Sequence, residues 1–223
     1  MKVSEIFLSI EGEGIRTGAP AVFVRLFGCN LHCAYCDSLY AIEGSDFVEM
    51  SPVEIFEKVQ SFRTKYVTLT GGEPLIHADV QTLLKLLDDA GFEVNIETNG
   101  TRPSPVGYKN AFCTMDWKNS SSGMRNEKNL QNLLTLEARD VLKFVVGTPE
   151  DLEDAVHIVE ILEKEFAKEK RPLPVLYVSP IFGSMPYEEM VNWILANEVL
   201  RRNSTRFQVQ LHKIIWDPLA RGV

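Results

Sequence analysis

Three thiols stand close together in the run Gly28-Cys29-Asn30-Leu31-His32-Cys33-Ala34-Tyr35-Cys36-Asp37-Ser38. Cys29, Cys33 and Cys36, separated by three and then two residues, let one short loop wrap soft thiolates around a single metal centre. A [4Fe–4S] cube has four irons, each ordinarily held by one thiolate. A loop that fills three of them leaves one iron for a ligand that is not protein. A substrate or cofactor on that iron makes catalysis the leading reading. A structural zinc site of the Cys₃His kind, with His32 inside the loop, is the alternative. A disulfide with a spare thiol fits poorly, because nothing in the chain points to an oxidising compartment.

Composition narrows the partners. The 223 residues are 45% hydrophobic and 24% charged, ordinary values for a globular protein with a real core. The length suits one domain, expected over residues 1–223. A formal charge of −8 argues against a nucleic-acid partner, which would need a clustered basic surface. The opening Met1-Lys2-Val3-Ser4-Glu5-Ile6 lacks the apolar run of a signal peptide, and no apolar stretch is long enough to span a bilayer. A soluble, cytoplasmic protein is expected, with thiols that serve as ligands.

The elements that must position these thiols alternate. Strands are predicted at Ala21–Phe27, Tyr66–Thr70, Glu93–Thr98, Ala111–Asp116, Val141–Val146, Pro174–Ser179 and Phe207–Leu211, several of them almost continuously apolar. Ser51-Pro52-Val53-Glu54 reads as a capping box that opens a helix to about Phe62. Asp79–Ala90 has leucines at helical spacing and stops at Gly91. Thr148 caps a helix to about Lys168, and Pro186 opens another to about Arg202. Asn119–Glu127 has the composition of a mobile loop. About six strand–helix units predict an α/β fold, a partial (β/α)6-type barrel, with ligands at the C-terminal ends of the strands. The cysteine loop follows the first long strand and lies at that end.

Thr70-Gly71-Gly72-Glu73-Pro74 also follows a strand, where paired glycines let backbone approach a ligand closely. Alone it reads equally as a turn. Combined with a Cys-x₃-Cys-x₂-Cys loop one strand earlier, it resembles the radical S-adenosylmethionine (SAM) superfamily. The resemblance implies a [4Fe–4S] cluster on Cys29, Cys33 and Cys36. It also implies SAM chelated to the open iron, cleaved by one electron to a 5′-deoxyadenosyl radical. Tyr35, Cys36 and Asp37 would lie beside SAM, and Gly72 would contact it. A low-potential flavodoxin or ferredoxin is the implied reductant.

Further features narrow the likeness. They are Ser9-Ile10-Glu11-Gly12-Glu13-Gly14, the strand carrying Arg25, Cys36-Asp37-Ser38, and Gln210-Leu211-His212-Lys213. Together they resemble the 7-carboxy-7-deazaguanine synthase family of the queuosine and deazapurine pathway. That family typically has Gln-Gly-Glu-Gly, so Glu11 is a departure. The likeness implies a carbon–nitrogen lyase that contracts 6-carboxy-5,6,7,8-tetrahydropterin to 7-carboxy-7-deazaguanine and releases ammonia. Substrate contacts would come from Ile10, Glu11, Gly12, Glu13, Thr70 and Val223. Arg25 would hold the substrate carboxylate bidentately; otherwise it is a strand residue paired with Glu11 or Glu13. Mg²⁺ would sit on the Ser38 hydroxyl and substrate oxygens, though a serine here could equally cap a turn. Asp116-Trp117-Lys118 and Ser179-Pro180-Ile181-Phe182 would wall the adenosine, with core packing as the alternative for Trp117 and Phe182. Cys113 reads as a buried small hydrophobe, and His212 as a hydrogen-bonded or catalytic histidine.

Two rivals share parts of this pattern. A glycyl-radical-enzyme activase has the same chemistry on a protein substrate, but without the Glu-Gly-Glu-Gly and Gln-x-His-Lys segments. A non-catalytic iron–sulfur or zinc module would carry the metal without turnover. A homodimer is compatible with everything above.

Overall fold

The computed structural model describes residues 1–223. A single sheet of nine strands runs through it in the order β3-β1-β2-β4-β5-β6-β7-β8-β9. β1 (Lys2–Ile10) pairs antiparallel with β2 (Pro20–Leu26) and with the short β3 (Val48–Glu49). Lys2–Ile10 is a strand that its sequence does not announce, because its apolar and polar residues do not alternate cleanly. α1 (Pro52–Ser61) follows, opened by the reciprocal Ser51–Glu54 capping box.

From β2 onward every pairing is parallel. β4 (Tyr66–Gly71), β5 (Glu93–Thr98), β6 (Ala111–Trp117), β7 (Val141–Val146), β8 (Val175–Pro180) and β9 (Arg206–Phe207) add in chain order. An order that never reverses is that of a barrel wall; a doubly wound sheet would show a switch point. The fold is therefore the expected partial (β/α) barrel. α2 (Val80–Asp89) joins β4 to β5, and the one-turn α3 (Leu130–Leu133) lies between β6 and β7. The long α4 (Pro149–Lys168) joins β7 to β8.

Three expectations need correction. The helix expected to run from Pro186 to Arg202 is two, α5 (Tyr187–Ala196) and α6 (Glu198–Arg202). Asn197 leaves helical geometry between them, and its side chain accepts from Leu200 N at 3.2 Å to cap α6. The strand expected at Phe207–Leu211 is only Arg206–Phe207, because the chain then turns inward to the site and into α7 (His212–Ile215). Asn119–Glu127 is not a free loop. Asn119 and Ser122 are fully buried, and Ser122 O accepts from Ala34 N of the cysteine loop at 2.9 Å.

The two faces of the parallel sheet differ in chemistry. Val22, Val24, Leu26, Val67, Leu69, Val94, Ile96, Met115, Leu142, Phe144 and Val178 point toward the helices and join the main apolar cluster. Cys113 is buried there, as expected. The alternate positions carry Arg25, Thr68, Asn95, Glu97, Thr114, Asp116 and Lys143, which ladder pairing aligns across the other face.

Candidate active site

The lower part of the inner face is closed by one arginine. Arg16, in the turn between β1 and β2, lies over the rings of Tyr66 and Phe112 at 4.9 and 5.3 Å. It donates to Glu93 O at 2.8 Å and to Thr68 Oγ1 at 3.0 Å. Glu11, 3.7 Å from Arg16, turns its buried carboxylate into this layer and accepts from Thr68. Burial raises the Glu11 carboxyl, with Arg16 opposing that shift. A glutamate in place of a neutral amide is accommodated here by a nearby cation.

Above this layer three carboxylates from three elements meet one ammonium. Lys143 Nζ of β7 is 2.9 Å from Glu13 Oε2, 3.2 Å from Asp116 Oδ1 and 3.5 Å from Glu97 Oε2. Burial works to raise Glu13, but Lys143 and the Gln210 amide outweigh it and hold the carboxyl low. Glu97 goes the other way: burial, against the pull of Lys143 and helped by Glu13, pushes it up to about 7. Lys118 pairs with Asp116 at 2.8 Å and lies 6.0 Å from the Tyr35 ring centroid. Neither Lys143 nor Glu97 was assigned a role from sequence. The signal was present, since Lys143 is the one charged residue in the apolar run Val141–Val146.

The segment after β9 seals one side. Gln208 Nε2 and Gln210 Nε2 donate to the two oxygens of Glu13 at 3.0 and 2.9 Å, and Gly14 N donates to Gln208 Oε1 at 2.6 Å. The His212 ring lies on Gly12, where any Cβ would come within 2.2 Å of His212 Nδ1. This close approach is why glycine stands there. Lys213 Nζ sits 2.7 Å from Asp37 and 5.6 Å from the Phe182 ring centroid, tying this segment to the cysteine loop.

The thiols lie at the rim of the polar wall. Cys29, Cys33 and Cys36 are unpaired and partly accessible, whereas Cys113 is buried. Cys29 Sγ accepts from Leu31 N at 3.4 Å and from Asn99 Nδ2, beyond β5, at 3.5 Å. Burial raises the Cys33 thiol, and Lys118 offsets only part of that shift. No group of three His, Cys, Asp or Glu side chains converges as a single ion would require. A cluster differs in spreading its thiolates over separate irons.

The glycine segment packs directly on the thiol loop. Gly72 N donates to Leu26 O at 3.1 Å, and a Cβ on Gly72 would fall 2.2 Å from Gly28 O and 2.8 Å from Cys29 Cβ. Glu73 is structural: Oε1 accepts from Leu75 N and Thr98 Oγ1, and Oε2 from Asn99 N, which pins the end of β5. The buried Tyr35 hydroxyl has no partner. Three unpaired, partly accessible thiols and an unpartnered hydroxyl beside them fit a bound cluster and its ligand.

Other expected site residues distribute as follows. Arg25 pairs with neither Glu11 nor Glu13; its Nε donates to Glu5 Oε1 at 2.7 Å, directly across the β1–β2 ladder. Ser38 Oγ donates to Asp37 Oδ1 at 3.0 Å and lies 3.5 Å from Arg25 Nη1. Thr70 is opposite Arg25 on β4, on the same inner face. The Trp117 indole is buried in the apolar core and donates to Asp154 Oδ2 at 2.8 Å. Core packing therefore accounts for its ring. Ser179 and Pro180 are buried at the end of β8, and Ile181 packs against Gly147. Phe182 is exposed. No helix is long and apolar enough to cross a membrane.

Comparison with known proteins agrees with this geometry. Residues 24–111 match the family model of the radical SAM superfamily. The chain is 40% identical to a 7-carboxy-7-deazaguanine synthase of Clostridium acetobutylicum, over 100% of this chain and 99% of that protein. It is 39% identical to a namesake from Methanospirillum hungatei, over 98% and 86% of the two chains. Among solved structures, that of QueE from Escherichia coli superposes with a TM-score of 0.68 at 24% identity, covering 94% of this chain and 93% of that one. Streptococcus suis SuiB bound to S-adenosylmethionine shares the fold with a TM-score of 0.59 over 84% of this chain and 51% of that one, at 12% identity.

Proposed function

The chain belongs to the 7-carboxy-7-deazaguanine synthase family of radical SAM enzymes. From that premise we propose that it converts 6-carboxy-5,6,7,8-tetrahydropterin into 7-carboxy-7-deazaguanine with release of ammonia. One observation carries this reading: the unpaired thiols and a charged inner wall open on the same mouth. An electron-transfer or structural metal module has no need of the second feature.

Cys29, Cys33 and Cys36 would hold the cluster, with SAM on its open iron. When bound, the pair would supply one-electron chemistry that removes a hydrogen atom from a substrate carbon. The protein's own task is to bind, orient and exclude water. Gly72 lets its backbone pack closely on the thiol loop and would contact SAM there, while Tyr35, Asp37, Lys118 and the β8 end at Ser179–Phe182 would border the SAM side.

On the substrate side, Arg25 offers its fork to the carboxylate, and Thr70 faces the same space. The flat ring lies toward Glu13 and the backbone of Ile10 and Gly12. Glu13 is held as an anionic acceptor by Lys143 and the two glutamines. Glu11 acts from the layer beneath. Val223 would add one further substrate contact. Mg²⁺ completes the reading. A lone Ser38 hydroxyl beside a guanidinium makes a poor cage, so substrate oxygens and water must fill the rest of its shell. A flavodoxin or ferredoxin in the cytoplasm supplies the electron.

The deciding experiment is anaerobic. Reconstituted protein, SAM, Mg²⁺ and a reductant are mixed with the carboxypterin, and products are followed by mass. Formation of the deazaguanine carboxylate is expected. Deoxyadenosine without that product would overturn the assignment.

A further inference from the structure

Arg25 and Glu5 face each other directly across the β1–β2 ladder, and a third residue joins them. Arg25 Nε and the Tyr40 hydroxyl both donate to Glu5 Oε1, each at 2.7 Å. Arg25 and Glu5 are largely withdrawn from water, with side chains 16% and 15% exposed. Burial, opposed by Arg25, pushes the Tyr40 phenol up to about 12, so it remains a donor. Over the ring of Tyr40 lies Arg221 at 4.0 Å, itself paired with Asp46 at 2.9 Å.

A guanidinium carries five N–H donors in one plane, and a carboxylate can dock on its Nε edge or on its Nη1–Nη2 edge. Glu5 takes the first. Nη1, on the second edge, lies 3.5 Å from Ser38 Oγ.

We infer that Glu5 is a positioning residue: locked by Tyr40, it engages Nε and so presents the Nη1–Nη2 edge of Arg25 to the substrate's carboxylate. This rests on the reading that Arg25 holds that carboxylate. It also bears on specificity. The three cations on this side of the mouth already have carboxylate partners, Arg25 with Glu5 at 2.7 Å, Lys213 with Asp37 at 2.7 Å and Arg221 with Asp46 at 2.9 Å. With that charge matched, discrimination comes from directed N–H pairs suited to a planar monocarboxylate.

The test uses reconstituted holoenzyme and two non-reacting probes, pterin-6-carboxylate and unsubstituted pterin, titrated by calorimetry. Wild-type protein should prefer the carboxylate-bearing probe. Glu5→Ala should cut that preference roughly tenfold or more, the scale of a charged hydrogen-bond pair. Glu5→Gln and Tyr40→Phe should each cut it only about two- to threefold, because an acceptor or one donor survives. Arg25→Ala separates the two levels of the argument. If Arg25→Ala leaves the preference intact, the parent reading of Arg25 fails. If it abolishes the preference while Glu5→Ala does not, or if Glu5→Ala weakens both probes equally, the positioning role is overturned. Should Glu5→Ala fail to fold, Glu5→Gln and Tyr40→Phe decide, and both must weaken the carboxylate-bearing probe selectively.

Discussion

Leu69 and Thr68 are neighbours on one strand, yet they belong to different environments. Leu69 enters an apolar layer under the helices, where the neighbouring strands contribute Val24 and Ile96. Thr68 enters a layer of buried charge with Glu11, Arg16 and Asn95. The same alternation continues through Met115 and Asp116 on β6 and through Leu142 and Lys143 on β7. One face stores stability as area removed from water, a non-directional term. The other holds desolvated charges in place through specific partners, which costs stability and gives geometry. Substitutions on the two faces should therefore fail in different ways.

The largest contrast involves sulfur. Cys33→Ala should abolish iron uptake on anaerobic reconstitution and, with it, SAM cleavage. Cys113→Ala, on the apolar face, should take up iron normally. Iron and sulfide content of the two variants checks this, and stoichiometric zinc in place of iron in wild-type protein would sink it.

Next comes a pure packing change. Phe144 is fully buried beneath the helices, so Phe144→Ala should lower unfolding free energy by about 3–5 kcal/mol. That loss should be nearly constant between pH 5 and 8. Chemical denaturation at several pH values measures it, and a strong pH dependence would blur the distinction between the faces.

The smallest effect lies on the inner face and should depend on pH. Glu97 is raised from 4.5 to about 7, so the folded protein binds more protons than the unfolded chain between those values. Its contribution is favourable at low pH and is lost as pH rises through about 7. Glu97→Gln should remove that slope, leaving the variant more stable than wild type at pH 8 by on the order of 1–3 kcal/mol. An unchanged slope would mean that another group carries the proton.

The part legible in sequence follows the same division. From β2 to β8, apolar runs between helix caps match the strands and long helices to within a residue or two, because burial and capping are local signals; past β8 the agreement ends, where Asn197 divides one expected helix into α5 and α6. The three thiols stand out by spacing alone, which leaves a Cys₃His zinc site open, and only the added glycine segment narrows them to a cluster. What could not be read were pairings between distant segments: Glu5 with Arg25 and Tyr40, Glu11 with Arg16, and Glu13 with Lys143. The short β9 was overestimated for a related reason. Gln208 and Gln210 leave the sheet to reach Glu13, and that tertiary demand overrides a local strand preference. Asn119–Glu127 has a loose composition but is held from other elements: Ser122 O accepts from Ala34 N of the cysteine loop, and Ser121 N donates to Asp151 Oδ1 of α4.

The bonds from Gln208 and Gln210 to Glu13 span 195 and 197 positions, among the widest separations in the molecule. Contacts of such separation carry the greatest loop-closure cost and are expected to form late. On the ribosome, the segment through β7 and α4 emerges well before either glutamine has been synthesised. The apolar layer can then consolidate while the acidic wall still lacks its clasp. Maturation is thereby given an order, in which the scaffold forms first and the reactive chamber closes last.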